Sequence, residues 1–196
     1  WASLVRLILA SESPRRRELL SVLVQDFDCL TTDIDETPFS GEVPEDYVLR
    51  MAIEKARAVT AHERAVIGSD TIVVLSDKIL QKPVSIDDAR GMLRALSGQT
   101  HNVMTAVAIM VDGNLEKRLS NTRVTFTDLE DSLIEAYLAT DEPWDKAGAY
   151  AIQGLAGAFV RRLEGSYSAV VGLPLSETKE LLDVAGVQTR LSILDV

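Results

Sequence analysis

The alternation of apolar and polar positions predicts a chain in which strands and helices follow one another. Short apolar runs typical of strands are followed by segments whose apolar residues recur every three or four positions, as on one face of a helix. The segment that begins at Pro44 shows the helical period most clearly, and we expect it to continue to about His62. This order is typical of a mixed α/β sheet with flanking helices, folded into lobes around a cleft.

The predicted elements are separated by turn residues rather than by long linkers. The predicted strands are residues 6–10, 27–31, 65–75, 102–111, 115–126, 159–163 and 168–171, and the predicted helices are 14–24, 44–62, 85–96, 129–139 and 174–185. Asp112-Gly113-Asn114 has the residue types of a tight hairpin turn, and we expect the strands at 159–163 and 168–171 to pair around Gly165. With no internal repeat and no Gly/Ser-rich linker, residues 1–196 are expected to form one domain.

Composition narrows the functional classes. A net charge of −10 disfavours a general nucleic-acid binder, which needs a basic face for phosphates. We expect no membrane span, because no apolar run approaches the roughly 20 residues that a membrane helix requires. We also expect no secretory signal, and the single cysteine fits a reducing cytoplasm. Cys29 lies in a strand-like segment, where we predict a small buried side chain.

Three consecutive arginines, Arg15–Arg17, follow the helix-start signal Ser13-Pro14. Cations at a helix N-terminus are disfavoured by roughly 0.3–1 kcal/mol each. A bound anion would explain them, because free N–H groups and guanidinium groups both bind phosphate. A solvated cluster paired with Glu18 explains them equally well.

Two further polar positions stand in apolar or rigid surroundings. Asp70 lies between apolar strand residues, so its carboxylate is either in a structural ion pair or in a functional site. Lys82 precedes Pro83, which restricts the direction in which its ammonium group is presented, although many surface lysines precede prolines.

Two loops offer polar groups of a different kind. Asp33, Asp35 and Glu36 crowd together, and oxygen ligands of this type suit Mg²⁺ or Mn²⁺, although a solvated acidic loop is the commoner outcome. The segment 145–157 is rich in small residues and too irregular for a regular helix. Gln153 carries the only side-chain amide in that segment and could read a base edge, unless the segment is simply a packed turn.

Long motifs in these stretches resemble those of the Maf family of nucleoside triphosphate pyrophosphatases. They are LILASESPRRREL, EKARA, IGSDTIVVL, QKP, LSGQTHNVMTAVA and DEPWDKAGAYAIQGLAGAFVRRLEGSYSAVVGLPLSET. The resemblance covers nearly the whole chain in order. It implies an α/β fold similar to that of inosine triphosphate pyrophosphatases, with two lobes around a deep cleft, and commonly a homodimer. It also implies cleavage of a triphosphate to a monophosphate and pyrophosphate.

The resemblance also implies roles for individual residues. The groups that would hold the triphosphate are Ser13, Arg15, Arg16, Lys55 and Lys82. Asp70 would be the proton acceptor that activates water, and Glu36 would bind a divalent cation, Mg²⁺ or Mn²⁺, together with Asp70. Lys82 would complete the catalytic set.

Three positions separate branches of the family, and here they are Arg15, Thr71 and Gln153. This set goes with the branch that cleaves dTTP and UTP, and an amide can both donate to and accept from a pyrimidine edge. The alternatives are a 7-methylguanosine triphosphate pyrophosphatase, or a nucleotide-binding regulator of septum formation in which hydrolysis is incidental.

Overall fold

A computed structural model describes residues 5–60 and 63–192. Its strands are β1 (Arg6–Ala10), β2 (Asp28–Leu30), β3 (Arg64–Leu75), β4 (Lys78–Leu80), β5 (Thr100–Val111), β6 (Asn114–Phe126) and β7 (Val160–Glu164). Its helices are α1 (Pro14–Leu23), α2 (Pro44–Arg57), α3 (Ile86–Leu96), α4 (Asp131–Leu138), α5 (Tyr167–Val171) and α6 (Leu175–Val184). Two short 3-10 helices span Ala147–Ala149 and Leu155–Phe159. The predicted mixed α/β class is confirmed.

The strands form one mixed sheet in the order β2-β1-β3-β5-β6-β7, with β4 paired to β3. β1 is parallel to both of its neighbours, so that Leu9 lies opposite Cys29 of β2 and Ile67 of β3. Parallel neighbours need crossover connections, and helices α1 and α2 lie in the two that join β1, β2 and β3. β4 and β7 are antiparallel to their partners β3 and β6.

The chain divides into two compact units, and β3, β5 and β6 contribute residues to both. The first unit consists of the described residues of Trp1–Asp70, Thr105–Ser120 and Gly172–Val196. Its core joins β1, α1, β3, β5 and α6 through buried aliphatic side chains, among them Leu7, Leu9, Leu20, Leu23, Ile67, Ile109, Leu173, Leu181 and Leu182. The buried residues Leu20 and Leu23 are three apart, which is the helical spacing that the sequence predicts for α1.

The second unit consists of Thr71–Met104 and Asn121–Val171. Its core is more aromatic, and edge-to-face ring contacts join Phe126, Tyr137, Tyr150, Phe159 and His101. On its surface, the guanidinium of Arg94 on α3 donates to both carboxylate oxygens of Asp131 on α4, at 2.9 and 3.0 Å.

Two tight turns with left-handed backbone angles join neighbouring strands, and the sequence predicts one of them. Asp112 and Gly113 have φ values of 47° and 82°, the left-handed pair that a two-residue hairpin needs, and they join β5 to β6. Ser76 and Asp77 have φ values of 49° and 64° between β3 and β4, a second turn of this kind that the sequence analysis does not predict.

Three sequence-based predictions are wrong. Residues 168–171 belong to helix α5 rather than to a strand, because the Ser166 hydroxyl accepts from Ala169 N–H at 3.2 Å and caps a helical turn. Cys29 is exposed, because all three residues of the edge strand β2 are exposed. Helix α2 ends at Arg57, before the β-branched Val59 and Thr60, and residues 61 and 62 lie outside the described residues.

Among residues 5–60 and 63–192, no helix is both long enough and apolar enough to cross a lipid bilayer.

Candidate active site

The start of helix α1 is ordered by serine side chains. Ser13 is the N-cap, and its hydroxyl accepts from Arg16 N–H at 3.4 Å, while Ser11 Oγ accepts from Ser13 N–H at 3.1 Å. Pro14 occupies the first turn, where its fixed φ favours the helix. Arg15 and Arg16 are partly buried, whereas Arg17 is exposed. Two of the three arginines are therefore held against the protein rather than extended into solvent.

The Arg16 side chain is fixed by a main-chain carbonyl. Its Nε donates to Gly172 O at 2.9 Å, and the buried Ser69 hydroxyl, which also lies 2.9 Å from Ala106 O, is 3.2 Å from the same Gly172 carbonyl. Burial lowers the pKa of the Arg16 guanidinium and the charge of Arg15 lowers it further, whereas the charges of Asp70 and Glu36 raise it. A guanidinium stays protonated in spite of such a shift, so Arg16 is a permanent positive charge near two carboxylates.

Lys55 of helix α2 is the centre of the charged cluster. Its Nζ lies 2.7 Å from Asp70 Oδ1 and 2.8 Å from Glu36 Oε1. Lys55 is only 9% exposed, so its ammonium group needs these partners, because an unpaired charge at such a position is costly. Asp70, on strand β3, is largely buried, whereas the Glu36 side chain is about half exposed at 51%.

A glycine allows α2 to lie directly against β3. A Cβ atom on Gly68 would stand 2.2 Å from Ala52 O and 2.5 Å from Ala56 N, both main-chain atoms of the helix. Lys55 lies between those two helix residues, and Asp70 is two positions after Gly68 on the strand. The close backbone approach therefore brings the Lys55 ammonium to the Asp70 carboxylate.

Glu36 is positioned by residues that the sequence analysis does not single out as functional. Tyr47 of α2 donates its hydroxyl to Glu36 O at 2.8 Å, and Arg50 Nη2 donates to Thr37 O at 3.1 Å. Burial, followed by the charges of Asp70 and Glu36, raises the pKa of Tyr47 to about 12, so the phenol remains a donor at neutral pH.

Arg50 also anchors the far end of this loop. It forms a bidentate ion pair with Glu42 at 2.7 and 2.8 Å, and its guanidinium lies 3.9 Å from the centre of the Phe39 ring. The hydrogen bonds from Arg50 lower the pKa of Glu42 to about 2. Residues 36–42, named the Glu36 loop below, are thus attached to one face of helix α2. The only sequence signal is the helical spacing of Tyr47, Arg50 and Glu54.

The remaining predicted site residues belong to the second unit. Thr71 follows Asp70 directly on β3, and it is partly buried. Lys82 is exposed in the segment after β4, where the neighbouring Gln81 carbonyl accepts from Gly148 N–H at 3.2 Å. Gln153 is exposed in a turn closed by Gly154 N–H donating to Ala151 O at 3.1 Å. The first unit therefore brings together Lys55, Asp70, Glu36 and Arg16, and the second unit presents Lys82 and Gln153 on exposed segments.

Among the described residues, no group of three or more His, Cys, Asp or Glu side chains could hold a metal ion by itself. Asp70 and Glu36 supply two carboxylates whose oxygens contact one ammonium group. Two carboxylates are a sufficient protein contribution for Mg²⁺, which completes its shell with water and with substrate phosphates.

The charges suit a reaction on a phosphate anhydride. Lys55 and Arg16 can stabilise negative charge on phosphate oxygens, and the N-terminus of α1 adds the partial positive charge of its N–H groups. Asp70 is a carboxylate that can accept a proton, and its place beside Lys55 fixes the direction of its oxygens. Neither a cysteine nor a histidine nucleophile is needed for this chemistry.

This chain is similar to known proteins over most of its length. A family profile described as "Maf-like protein" matches residues 6–185. A protein of Shewanella oneidensis named dTTP/UTP pyrophosphatase is 53% identical over 193 residues, covering 93% of this chain and 100% of the relative. A protein of Escherichia coli K12 with the same name is 54% identical over 179 residues, covering 90% of this chain and 91% of the relative.

Among solved structures, a HAM1 protein from Coxiella burnetii covers 63% of this chain and 73% of its own, with 16% identity and a TM-score of 0.42. The family assignment rests instead on the profile match and on the sequence relatives, both of which extend over most of the chain. This chain belongs to the Maf family.

Proposed function

We propose that this chain hydrolyses dTTP and UTP to the nucleoside monophosphate and pyrophosphate. The observation that carries the proposal is the contact of the Lys55 ammonium with both Asp70 and Glu36. A buried cation between two carboxylates supplies charge for a polyanion and a carboxylate that can act as a base. The relatives named dTTP/UTP pyrophosphatase, at 53–54% identity, support this substrate class.

Each predicted residue has a role in this proposal. The triphosphate is held by Ser13, Arg15, Arg16, Lys55 and Lys82. Asp70 accepts the proton of the attacking water, and the P–O bond between the α and β phosphates breaks, with pyrophosphate as the leaving group. Glu36, held by Tyr47 and Arg50, keeps its carboxylate beside Lys55.

A divalent cation, Mg²⁺ or Mn²⁺, is part of the same proposal. Asp70 and Glu36 would hold it, since both carboxylates already converge on one positive group. When bound, it would supply positive charge to the phosphates and lower the pKa of coordinated water. The homodimer implied by the family resemblance and the cytoplasmic location favoured by the single cysteine are proposed with it, and sedimentation analysis tests the first of these.

Base selection is assigned to Arg15, Thr71 and Gln153. The Gln153 amide can donate to one edge atom of uracil or thymine and accept from its neighbour, which a carboxylate cannot do. Methylated guanine nucleotides would be poorer substrates under this assignment.

The experiment is a panel of canonical and modified triphosphates incubated with the protein and Mg²⁺ or Mn²⁺, in water labelled with ¹⁸O. We expect UTP and dTTP to give the monophosphate and pyrophosphate in equal amounts, with the label in one of the two products. Release of orthophosphate and a diphosphate would contradict the proposal, as would binding of UTP without turnover.

We predict that Asp70→Asn lowers kcat for UTP by 10²–10⁴-fold, the usual cost of losing a general base. The amide keeps the volume of the side chain but cannot accept the proton, and Lys55 keeps its contact with Glu36. Asp131→Asn, which alters an exposed carboxylate paired with Arg94, is the matched control. If Asp70→Asn retains a near-normal rate while the protein is folded, another residue is the base, and Glu36 is the first candidate.

A further inference from the structure

Glu142 is a partly buried carboxylate of the second unit that binds main-chain groups rather than a basic side chain. Its Oε2 accepts from Leu155 N–H at 2.8 Å, and its Oε1 accepts from Ala156 N–H at 3.1 Å. Oε1 also accepts from the Tyr137 hydroxyl at 2.9 Å. One carboxylate therefore holds three donors from two separate parts of the chain.

The two main-chain donors lie at the start of the 3-10 helix Leu155–Phe159, two and three positions after Gln153. The first N–H groups of a helix have no partner within it, so an acceptor is needed there, and a negative charge is the best one. Burial raises the pKa of Glu142, but the hydrogen bonds from Leu155, Ala156 and Tyr137, together with the charge of Lys146, outweigh that effect and hold the pKa below its usual range.

Gly154 shows how closely this carboxylate lies against the turn. A Cβ atom on Gly154 would stand 2.1 Å from Glu142 Oε2 and 2.4 Å from Glu142 Cδ. Gln153, Gly154 and Leu155 are all exposed, and Leu155 is 61% exposed. The start of the turn is held by Ile152, which packs against the core, and by Ala151 N–H, which donates to the Tyr137 hydroxyl at 3.2 Å. Its exposed end has no such packing, and there Glu142 accepts from Leu155 N–H.

We propose that Glu142 is a positioning residue for nucleobase selection. Its carboxylate fixes the turn Ala151–Leu155 so that Gln153 presents its amide in one orientation, and it acts on recognition of the base rather than on cleavage of the anhydride. The proposal rests on the proposed function, in which Gln153 reads the base of dTTP or UTP.

The substitution Glu142→Gln tests this role because it removes a hydrogen-bond acceptor while keeping the size of the side chain. An amide keeps the shape of the side chain, but its NH₂ group would face one of the N–H donors that now bind a carboxylate oxygen. One hydrogen bond to a charged acceptor is lost and a donor is left opposite a donor. The turn should loosen, while Asp70 and Lys55, which belong to the other unit, keep their own contacts.

The test measures kcat and KM for UTP, dTTP and GTP, and the rate with inorganic tripolyphosphate, which has no base. For Glu142→Gln we expect KM for UTP to rise about tenfold with kcat within threefold of wild type, and the UTP-to-GTP ratio of kcat/KM to fall about tenfold. The rate with tripolyphosphate should not change. Glu135→Gln is the matched control, because Glu135 is an exposed carboxylate of the same unit that pairs with Arg90.

Gly154→Ala is a second route to the same perturbation, since its methyl group would displace the Glu142 carboxylate without changing the chemistry of any polar group. It decides the outcome if Glu142→Gln does not fold. A UTP-to-GTP ratio that stays at the wild-type value in the folded variants overturns the positioning role. A wild-type protein that does not hydrolyse UTP at all overturns the proposed function instead, so the two failures are distinguishable.

Discussion

The close packing of helix α2 on strand β3 gives a prediction in which stability and activity must change together. Gly68→Ala adds one methyl group, whose carbon would stand 2.2 Å from Ala52 O and 2.5 Å from Ala56 N. An ordinary contact of this kind is 3.4 Å or more. Helix α2 would therefore have to move from β3 by about 1 Å, because the obstructing atoms belong to its main chain and cannot rotate away.

The magnitude follows from the cost of overpacking, which is typically about 1–3 kcal/mol in a well-packed core. We expect Gly68→Ala to lower the free energy of unfolding by an amount near the upper end of that range, since no flexible side chain can absorb the shift. The same movement would lengthen the contact between Lys55 Nζ and Asp70 Oδ1, which is now 2.7 Å. A misplacement of about 1 Å in a catalytic site can cost on the order of 100-fold in rate.

Urea unfolding and UTP hydrolysis measure the two effects, and Gly91→Ala is the matched control. Gly91 is an exposed residue of helix α3, and a Cβ atom there would meet nothing within 4 Å. Alanine is a better helix former than glycine, so this control should raise the free energy of unfolding by about 0.5–1 kcal/mol and leave activity unchanged. A Gly68→Ala protein as stable and as active as wild type would refute the packing argument.

Two further predictions concern groups that the sequence does not mark as functional. Arg50→Met removes contacts that attach the Glu36 loop to α2, and we expect kcat/KM for UTP to fall about tenfold. Arg94→Met is the control: it removes a bidentate ion pair on the surface and should leave kcat/KM unchanged. Equal activities of the two variants would contradict the role of the loop. For His101, burial lowers the pKa to about 4, so between pH 6.5 and pH 4 the unfolded chain takes up a proton that the native state does not, and stability falls as the pH falls. From pH 7 to pH 5 this loss of unfolding free energy amounts to about 2 kcal/mol. Urea unfolding of His101→Leu should therefore show a free energy that falls by about 2 kcal/mol less than that of wild type over this range. An equal fall in both proteins would contradict the burial effect on His101.

Much of the fold could be predicted because its signals are local. The hairpin at Asp112-Gly113 needs two left-handed residues, and that need is visible in the residue types themselves. The helix starting at Pro14 follows from a serine cap and a proline in its first turn. In contrast, the short segment 168–171 of helix α5, which contains valine and alanine, has no periodicity that separates a strand from a helix, so the sequence pattern favours a strand there.

The predicted burial of Cys29 is wrong for a different reason. An apolar strand-like run looks the same whether its strand is central or at an edge, and β2 is the edge strand beside β1. Strand order is decided by contacts between residues far apart in the chain, so it is absent from the local pattern. The strand β4 is absent from the sequence prediction for another reason. Its three residues are too few to show a strand pattern, and they become a strand because the turn at Ser76 and Asp77 folds them back onto β3.

In the candidate site, the sequence indicates the charged residues of the cluster but not the residues that position them. Asp70 stands out in the sequence as a carboxylate between apolar residues, and Glu36 as a member of an acidic loop, whereas Lys55 is implied only by the family resemblance. The structure joins all three through one ammonium group. The sequence does not indicate the role of Glu142, because two of its three hydrogen-bond partners are main-chain N–H groups, at Leu155 and Ala156, and Arg50 likewise reaches the Glu36 loop partly through the Thr37 carbonyl. Every residue has such groups, so a side chain that binds them leaves no complementary residue in the sequence. Residues that position a loop from a distance can therefore be found only once the fold brings the main chain to them, and the Glu142 and Arg50 variants test whether this positioning matters for catalysis and selectivity.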